Sequence, residues 1–143
     1  MPHGTVTQII GPVVDVAFPE DALPSIYNAL IIPRDDGTDI TLEVARHLGG
    51  NRVRTIALSS TDGLARGTAV NDTGAGISVP VGGEVLGRLF NVLGESLDEG
   101  DKEVFTKKWL IHRNAPPLYE QATKTDIFTT GIKVIDLLAP FIR

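Results

Sequence analysis

Apolar and polar side chains alternate along the first eighty residues. Val14, Val16 and Phe18 fall on one side of an extended segment, with Val13, Asp15 and Ala17 on the other. Ile40, Leu42 and Val44 share a face opposite Thr41 and Glu43, Val53, Thr55 and Ala57 share another, and Ile77, Val79 and Val81 another. A period of two over such short runs predicts half-buried β-strands. Turn residues punctuate them. Gly11-Pro12 separates the first two strands, and Asp35-Asp36-Gly37 reads as a hairpin between Ala29–Ile32 and Asp39–Ala45. Gly49-Gly50, Thr61-Asp62-Gly63 and Gly74-Ala75-Gly76 predict three further turns. About six short strands at this spacing predict a small closed β-barrel, since closure removes exposed strand edges.

The segment Val79-Pro80-Val81-Gly82-Gly83 predicts the exit from that barrel, and there the period changes. Leu86, Leu89, Phe90 and Leu93 are spaced as one face of a helix, with Gly87 inside it and Gly94 placed to end it. A buried irregular strand is the alternative. Glu95–Glu103 is polar and acidic and predicts a surface loop, Trp109-Leu110-Ile111 is a short apolar run, and Asn114-Ala115-Pro116-Pro117 is extended because proline restricts itself and the residue before it. Thr129 or Thr130 is placed to cap a last helix, with Ile132, Ile135 and Leu138 on one face and Pro140 as its stop. The domain reading is a barrel over 1–81 and a second, incomplete domain over 82–143.

Composition narrows the function classes. The chain has 143 residues, 15 Gly and 9 Pro, which suits a turn-rich β fold. Net charge is −5, and no Lys precedes Lys102. An acidic chain with no basic stripe argues against nucleic-acid binding, which needs phosphate neutralisation. Aromatics for base stacking are also scarce, since the barrel half offers only Phe18 and Tyr27. The absence of cysteine excludes disulfides and thiolate chemistry and fits a reducing compartment. No stretch approaches the roughly 20 apolar residues of a membrane span, so direct membrane insertion is not expected. The strand pattern begins almost at Met1, and no signal or transit peptide is expected.

Candidate chemistry is sparse. Gly82-Gly83-Glu84-Val85-Leu86-Gly87-Arg88-Leu89 has the glycine spacing of a phosphate loop but ends in Arg88-Leu89, where a compact ammonium and a hydroxyl are required, so it reads as a turn feeding a helix. Gly74-Ala75-Gly76-Ile77-Ser78-Val79 begins like a dinucleotide fingerprint but carries Val79 at the third glycine position and reads as a turn. His3, His47 and His112 are far apart and form no metal-ligand spacing. Asp98-Glu99-Gly100-Asp101-Lys102-Glu103 lacks the alternating oxygens of a calcium loop. Arg46, Arg52, Arg54 and Arg66 stand in a barrel without lysine, and either an interface role for one or two of them or ordinary surface charge is open. No catalytic, cofactor-binding or metal-ligating residue is assigned.

Four segments, in order, carry a resemblance. They are Gly4–Val16 (GTVTQIIGPVVDV) with Val53–Ala57 (VRTIA), Val79–Gly82 with Leu86–Gly94 (LGRLFNVLG), and Thr130–Pro140 (TGIKVIDLLAP). Together they resemble the amino-terminal part of the catalytic β subunits of F-type ATP synthases, over about Gly4 to Arg143. The resemblance implies a six-stranded barrel followed by the start of an α/β P-loop nucleotide-binding domain, whose phosphate loop would follow Arg143. It implies a parent that makes or hydrolyses ATP coupled to ion translocation, with MgATP or MgADP as its ligand. Implied partners are α subunits in an alternating hexameric ring, a central γ shaft and a membrane sector. The implied location is peripheral, on the cytoplasmic face of a bacterial inner membrane. This chain alone would then be an inactive assembly barrel without a cofactor. The alternatives are the α subunit of the same ring, a vacuolar-type relative, or a non-catalytic structural barrel. Asp136-Leu137-Leu138-Ala139-Pro140 and Asn91-Val92 favour β, whereas Trp109 and Leu118–Ala122 depart from the usual pattern. An end after Arg143 is what a trypsin-like cut would leave, and residues after about Gly94 are expected to be more mobile than the barrel.

Overall fold

In a computed structural model, residues 3–34, 37–98, 105–121 and 126–142 are described. The chain divides into two compact units, Met1–Arg113 and Asn114–Arg143. The first holds β1 (His3–Ile10), β2 (Val13–Ala17), β3 (Asn28–Ile32), β4 (Ile40–Gly49), β5 (Arg52–Ala57), β6 (Ala69–Gly76), β7 (Ser78–Pro80) and β8 (Lys108–Leu110). The second holds β9 (Ile127–Phe128), α1 (Lys133–Leu138) and β10 (Phe141–Ile142), with β9 and β10 paired antiparallel.

The first six strands close in the order β1-β2-β5-β4-β3-β6. Every neighbouring pair is antiparallel. The alternation explains the closure. Val14, Val16, Leu30, Ile32, Ile40, Leu42, Val44, Val53 and Val70 point inward and are almost fully buried, with Val6 and Phe18 completing the cluster. Gly4 makes room at one end, where a Cβ would lie 2.7 Å from both Phe18 Cζ and Val16 Cγ1. The expected mainly-β fold with a closed six-stranded barrel is what the chain adopts.

Several local readings differ from the structure. Gly74-Ala75-Gly76 is not a turn but the end of β6, where Asn28 pairs with Gly76 across an irregularity in the β3–β6 register. Ile77 is buried, but Val79 belongs to β7, which pairs with β8 outside the barrel. Residues 86–93 form no helix. A short 3-10 turn, Gly83–Val85, ends as Leu86 turns extended, and Gly87 and Gly94 take left-handed φ values of 75° and 76°. The Asn91 side chain then accepts the N–H groups of Leu93 and Glu95, bonds that compete with helical ones. Leu86 and Leu89 are left exposed, so the buried-strand alternative fails as well. The loop lies on β7, since a Cβ on Gly94 would come within 2.5 Å of Pro80 Cδ.

The last helix forms, but neither threonine caps it through its first turn. Ile132 occupies the N-cap position, and Asp136 reaches back to Thr130 and Gly131 instead. Pro140 does follow its end, with Ala139 as the C-cap. No helix among the described residues is long and apolar enough to cross a membrane. Beyond Ile77, no described residue is buried.

Candidate functional site: the charged outer face of the barrel

The register of β2, β5 and β4 builds this face. Asp15 lies opposite Arg54, and Arg54 lies opposite Arg46 on the next strand. Residues directly opposite share a face of the sheet. A second row runs parallel to the first, from Ile10 to Val13, Ile56 and Glu43. Arg52 stands one step along β5, opposite Ala17.

Within the charged row, Arg54 Nε and Nη2 donate to the two carboxylate oxygens of Asp15 at 2.8 and 2.9 Å. This is the two-pronged geometry that suits guanidinium to carboxylate. Asp15 is only 5% exposed although it lies on the outward side of β2. The Arg54 hydrogen bond holds the Asp15 carboxyl below the usual carboxylate range, against the opposing effect of burial, with the charges of Arg54, Arg52 and Arg46 adding to it. The same pair raises Arg54 above its ordinary value. Arg46 and Arg52 are exposed and act on Asp15 only through their charge.

At the end of the apolar row, Glu43 accepts from His112 Nε2 at 2.9 Å, and the His112 ring stacks on Tyr27 with centroids 4.0 Å apart. Tyr27 holds a left-handed φ of 72°, uncommon for a bulky residue. The stack borders a cleft of about 240 Å³ walled by Ile26, Ile77 and Leu110. His112 thus ties the segment after β8 to the barrel. His47 meets the Pro24 carbonyl at 2.8 Å, and His3 meets Asn71 at 2.7 Å. The three histidines are therefore apart, each with a partner of its own. No group of three or more potential metal ligands occurs among the described residues.

In the glycine-rich stretches the described polar groups have partners within the chain. Arg88 is committed to Asp98 and Ser96. Gly74 donates its N–H to the Asp72 carboxylate, which would repel a phosphate there. Of the acidic loop, Asp98 is described and pairs with Arg88, while residues 99–103 lie outside the described residues. Arg66 sits exposed in the turn before β6. Sequence reasoning grouped the four arginines but missed Asp15 as the partner of one of them. The signal was an acidic residue on the outward side of β2, legible only once β2 is set beside β5.

Residues 6–74 match the family model of the ATP synthase alpha/beta family, beta-barrel domain. Over those residues, just under half of the chain, the barrel is similar to the beta-barrel domain of the ATP synthase alpha/beta family. The match runs from within β1 to within β6, so it reaches every strand that closes the barrel. A barrel of this family belongs to a subunit of an ATP synthase or ATPase. On the outer face of this barrel lies the charged row of Asp15, Arg54 and Arg46.

Proposed function

We propose that this chain is the amino-terminal part of a catalytic β-type subunit of an F1 ATP synthase, and that its barrel is a ring-assembly module. The observation that carries the reading is the closed six-stranded barrel matched over residues 6–74. Asn91-Val92 and Asp136-Leu137-Leu138-Ala139-Pro140 favour the β type over the α type. The Thr130–Pro140 stretch is the approach to a nucleotide-binding domain that lies in the parent. That parent binds MgATP or MgADP and makes or hydrolyses ATP, coupled to ion translocation through a central shaft and a membrane sector. It sits peripherally on the cytoplasmic face of a bacterial membrane, next to α-type subunits in an alternating ring.

The 143-residue chain itself is then an inactive assembly piece. Its glycine loops are occupied by internal hydrogen bonds, and its one arginine at a phosphate-like spacing is paired. Calorimetric titration with MgATP tests this. The chain should release no binding heat, whereas the parent subunit should bind in the micromolar range. Clear saturable binding by the chain alone would reopen both the loop Gly82–Leu89 and the family role assigned to it.

A further inference from the structure

We infer that His112 is a proton-operated bolt, which fastens the strand after the barrel to Glu43 and Tyr27 more tightly when its ring is charged. The inference is independent of the function proposed above, because every group in it lies in the first compact unit.

After β7 leaves the barrel, β8 returns beside it, with Ser78 opposite Leu110 and Pro80 opposite Lys108. Ile111 donates its N–H to the Ile77 carbonyl at 3.0 Å. The next residue makes the bolt. His112 Nε2 meets Glu43 Oε2 at 2.9 Å, and its ring lies over Tyr27 with the two planes 22° apart. Tyr27 is itself fixed, since its N–H donates to the Val44 carbonyl at 2.8 Å, one residue on from Glu43. Leu110 packs close to the end of β6, where a Cβ on Gly76 would lie 3.4 Å from Leu110 Cδ2 and 3.2 Å from the Tyr27 carbonyl. Three stretches distant in sequence thus meet at one imidazole.

A carboxylate only accepts, so Nε2 carries a proton in either charge state of the ring. Neutral His112 donates an ordinary hydrogen bond to Glu43. Protonated His112 forms an ion pair of the same geometry, roughly twice as strong, and sets a cation over the Tyr27 ring. Both contacts strengthen in the same direction. The Glu43 side chain is 17% exposed against 44% for His112, so solvent screens the pair only in part. Histidine is the side chain that changes charge between about pH 5 and 8. The bolt therefore tightens as pH falls through that interval, and acid strong enough to neutralise Glu43 releases it again.

The other charged groups around the site have partners elsewhere or stand apart. On β4, Arg46 lies in the neighbouring row opposite Arg54, and His47 meets the Pro24 carbonyl. On β6, Asp72 accepts from the Asn28 amide and the Gly74 N–H. Glu20 and Asp21 are exposed in the loop before Tyr27, and Lys108 lies opposite Pro80. The Arg113 guanidinium carbon sits 3.8 Å from the centre of the Trp109 ring. β3 and β7 carry no charged residue. Loosening the bolt frees β8 and the residues that follow it without touching the barrel core.

The test is amide exchange of the full chain by NMR, corrected for intrinsic rates, at about pH 6 and about pH 8. The Ile111 N–H reports the bolt, and those of Val14 and Val53 report the barrel. In wild type, Ile111 should be about three- to tenfold better protected at the lower pH, by a factor the barrel amides do not share. His112→Gln keeps a donor that cannot titrate, and Glu43→Gln keeps an acceptor without charge. Each should abolish the difference. Tyr27→Phe keeps the stack and should retain it, as should His47→Gln and His3→Gln. The barrel amides show whether each variant is folded, and should His112→Gln unfold, wild type and Glu43→Gln decide alone. A difference absent in wild type, or surviving in His112→Gln or Glu43→Gln, overturns the bolt. Its loss in His47→Gln overturns it too, by assigning the titration to another ring.

Discussion

Asp15 sits on the outward side of β2, yet it is nearly as buried as the valines on either side of it. Burial of a carboxylate is costly unless its oxygens are occupied, and Arg54 occupies both. Asp15→Asn keeps the shape and removes the charge, so it should lower stability by about 1–2 kcal/mol at neutral pH, an amount typical of a lost charged hydrogen bond. The pH dependence has a definite sign. The carboxyl is held below its ordinary value in the fold. Its contribution is therefore present above the unfolded value of about 3.9 and is lost as pH falls through the lower folded value. Urea melts of wild type and Asp15→Asn should differ most near neutrality and converge in acid. A difference that grows on acidification would contradict the pairing. At this scale the residue types were legible and their pairing was not, because Asp15 and Arg54 lie on strands whose register a one-dimensional pattern leaves open.

Among the elements, the barrel strands followed from period two, since a slip by one residue would turn Val14, Val16, Leu42 and Val44 to water. The segment 86–93 shows where periodicity misleads. Its apolar spacing matches a helix, but left-handed glycines at 87 and 94 and the Asn91 side chain, which accepts the N–H groups of Leu93 and Glu95, hold it as a loop. Helix α1 is real but only six residues long, too short to persist on its own propensity. Its support is Asp136, whose carboxylate accepts from the Thr130 hydroxyl and N–H and from the Gly131 N–H at 2.7–3.0 Å. Those bonds hold the Asp136 carboxyl below its usual range, the Thr130 hydroxyl contributing most. Asp136→Ala should unravel α1, moving its Cα chemical shifts to coil values while barrel resonances stay in place. Helical shifts that survive the substitution would show that something else holds the turn.

For the whole molecule, burial is concentrated in one place. Among the described residues, all the almost fully buried side chains belong to the barrel, and Ile77 is the last buried residue. Amide exchange should follow that division. The N–H groups of Val14, Val16, Leu42, Val44 and Val53 should open only with global unfolding, and those of the described residues after 113 should exchange orders of magnitude faster. Comparable protection in both units would require a core that the second unit does not show.

The sequence by itself determined most of the barrel strands, their closure and the likeness to the family, because alternation and turn residues are local signals repeated many times. It also determined that no complete phosphate loop lies in these residues. Tertiary structure alone decided which arginine is spent on Asp15 and which two remain on the surface, where residues 86–93 turn, and how His112 ties the strand after the barrel back to Glu43 and Tyr27. The physical reason is that these outcomes depend on pairs 39, 69 and 85 residues apart or on backbone angles at single glycines, as with Asp15–Arg54, which the β2–β5 pairing brings together, and Glu43–His112 and Tyr27–His112, which follow from the β7–β8 pairing outside the barrel.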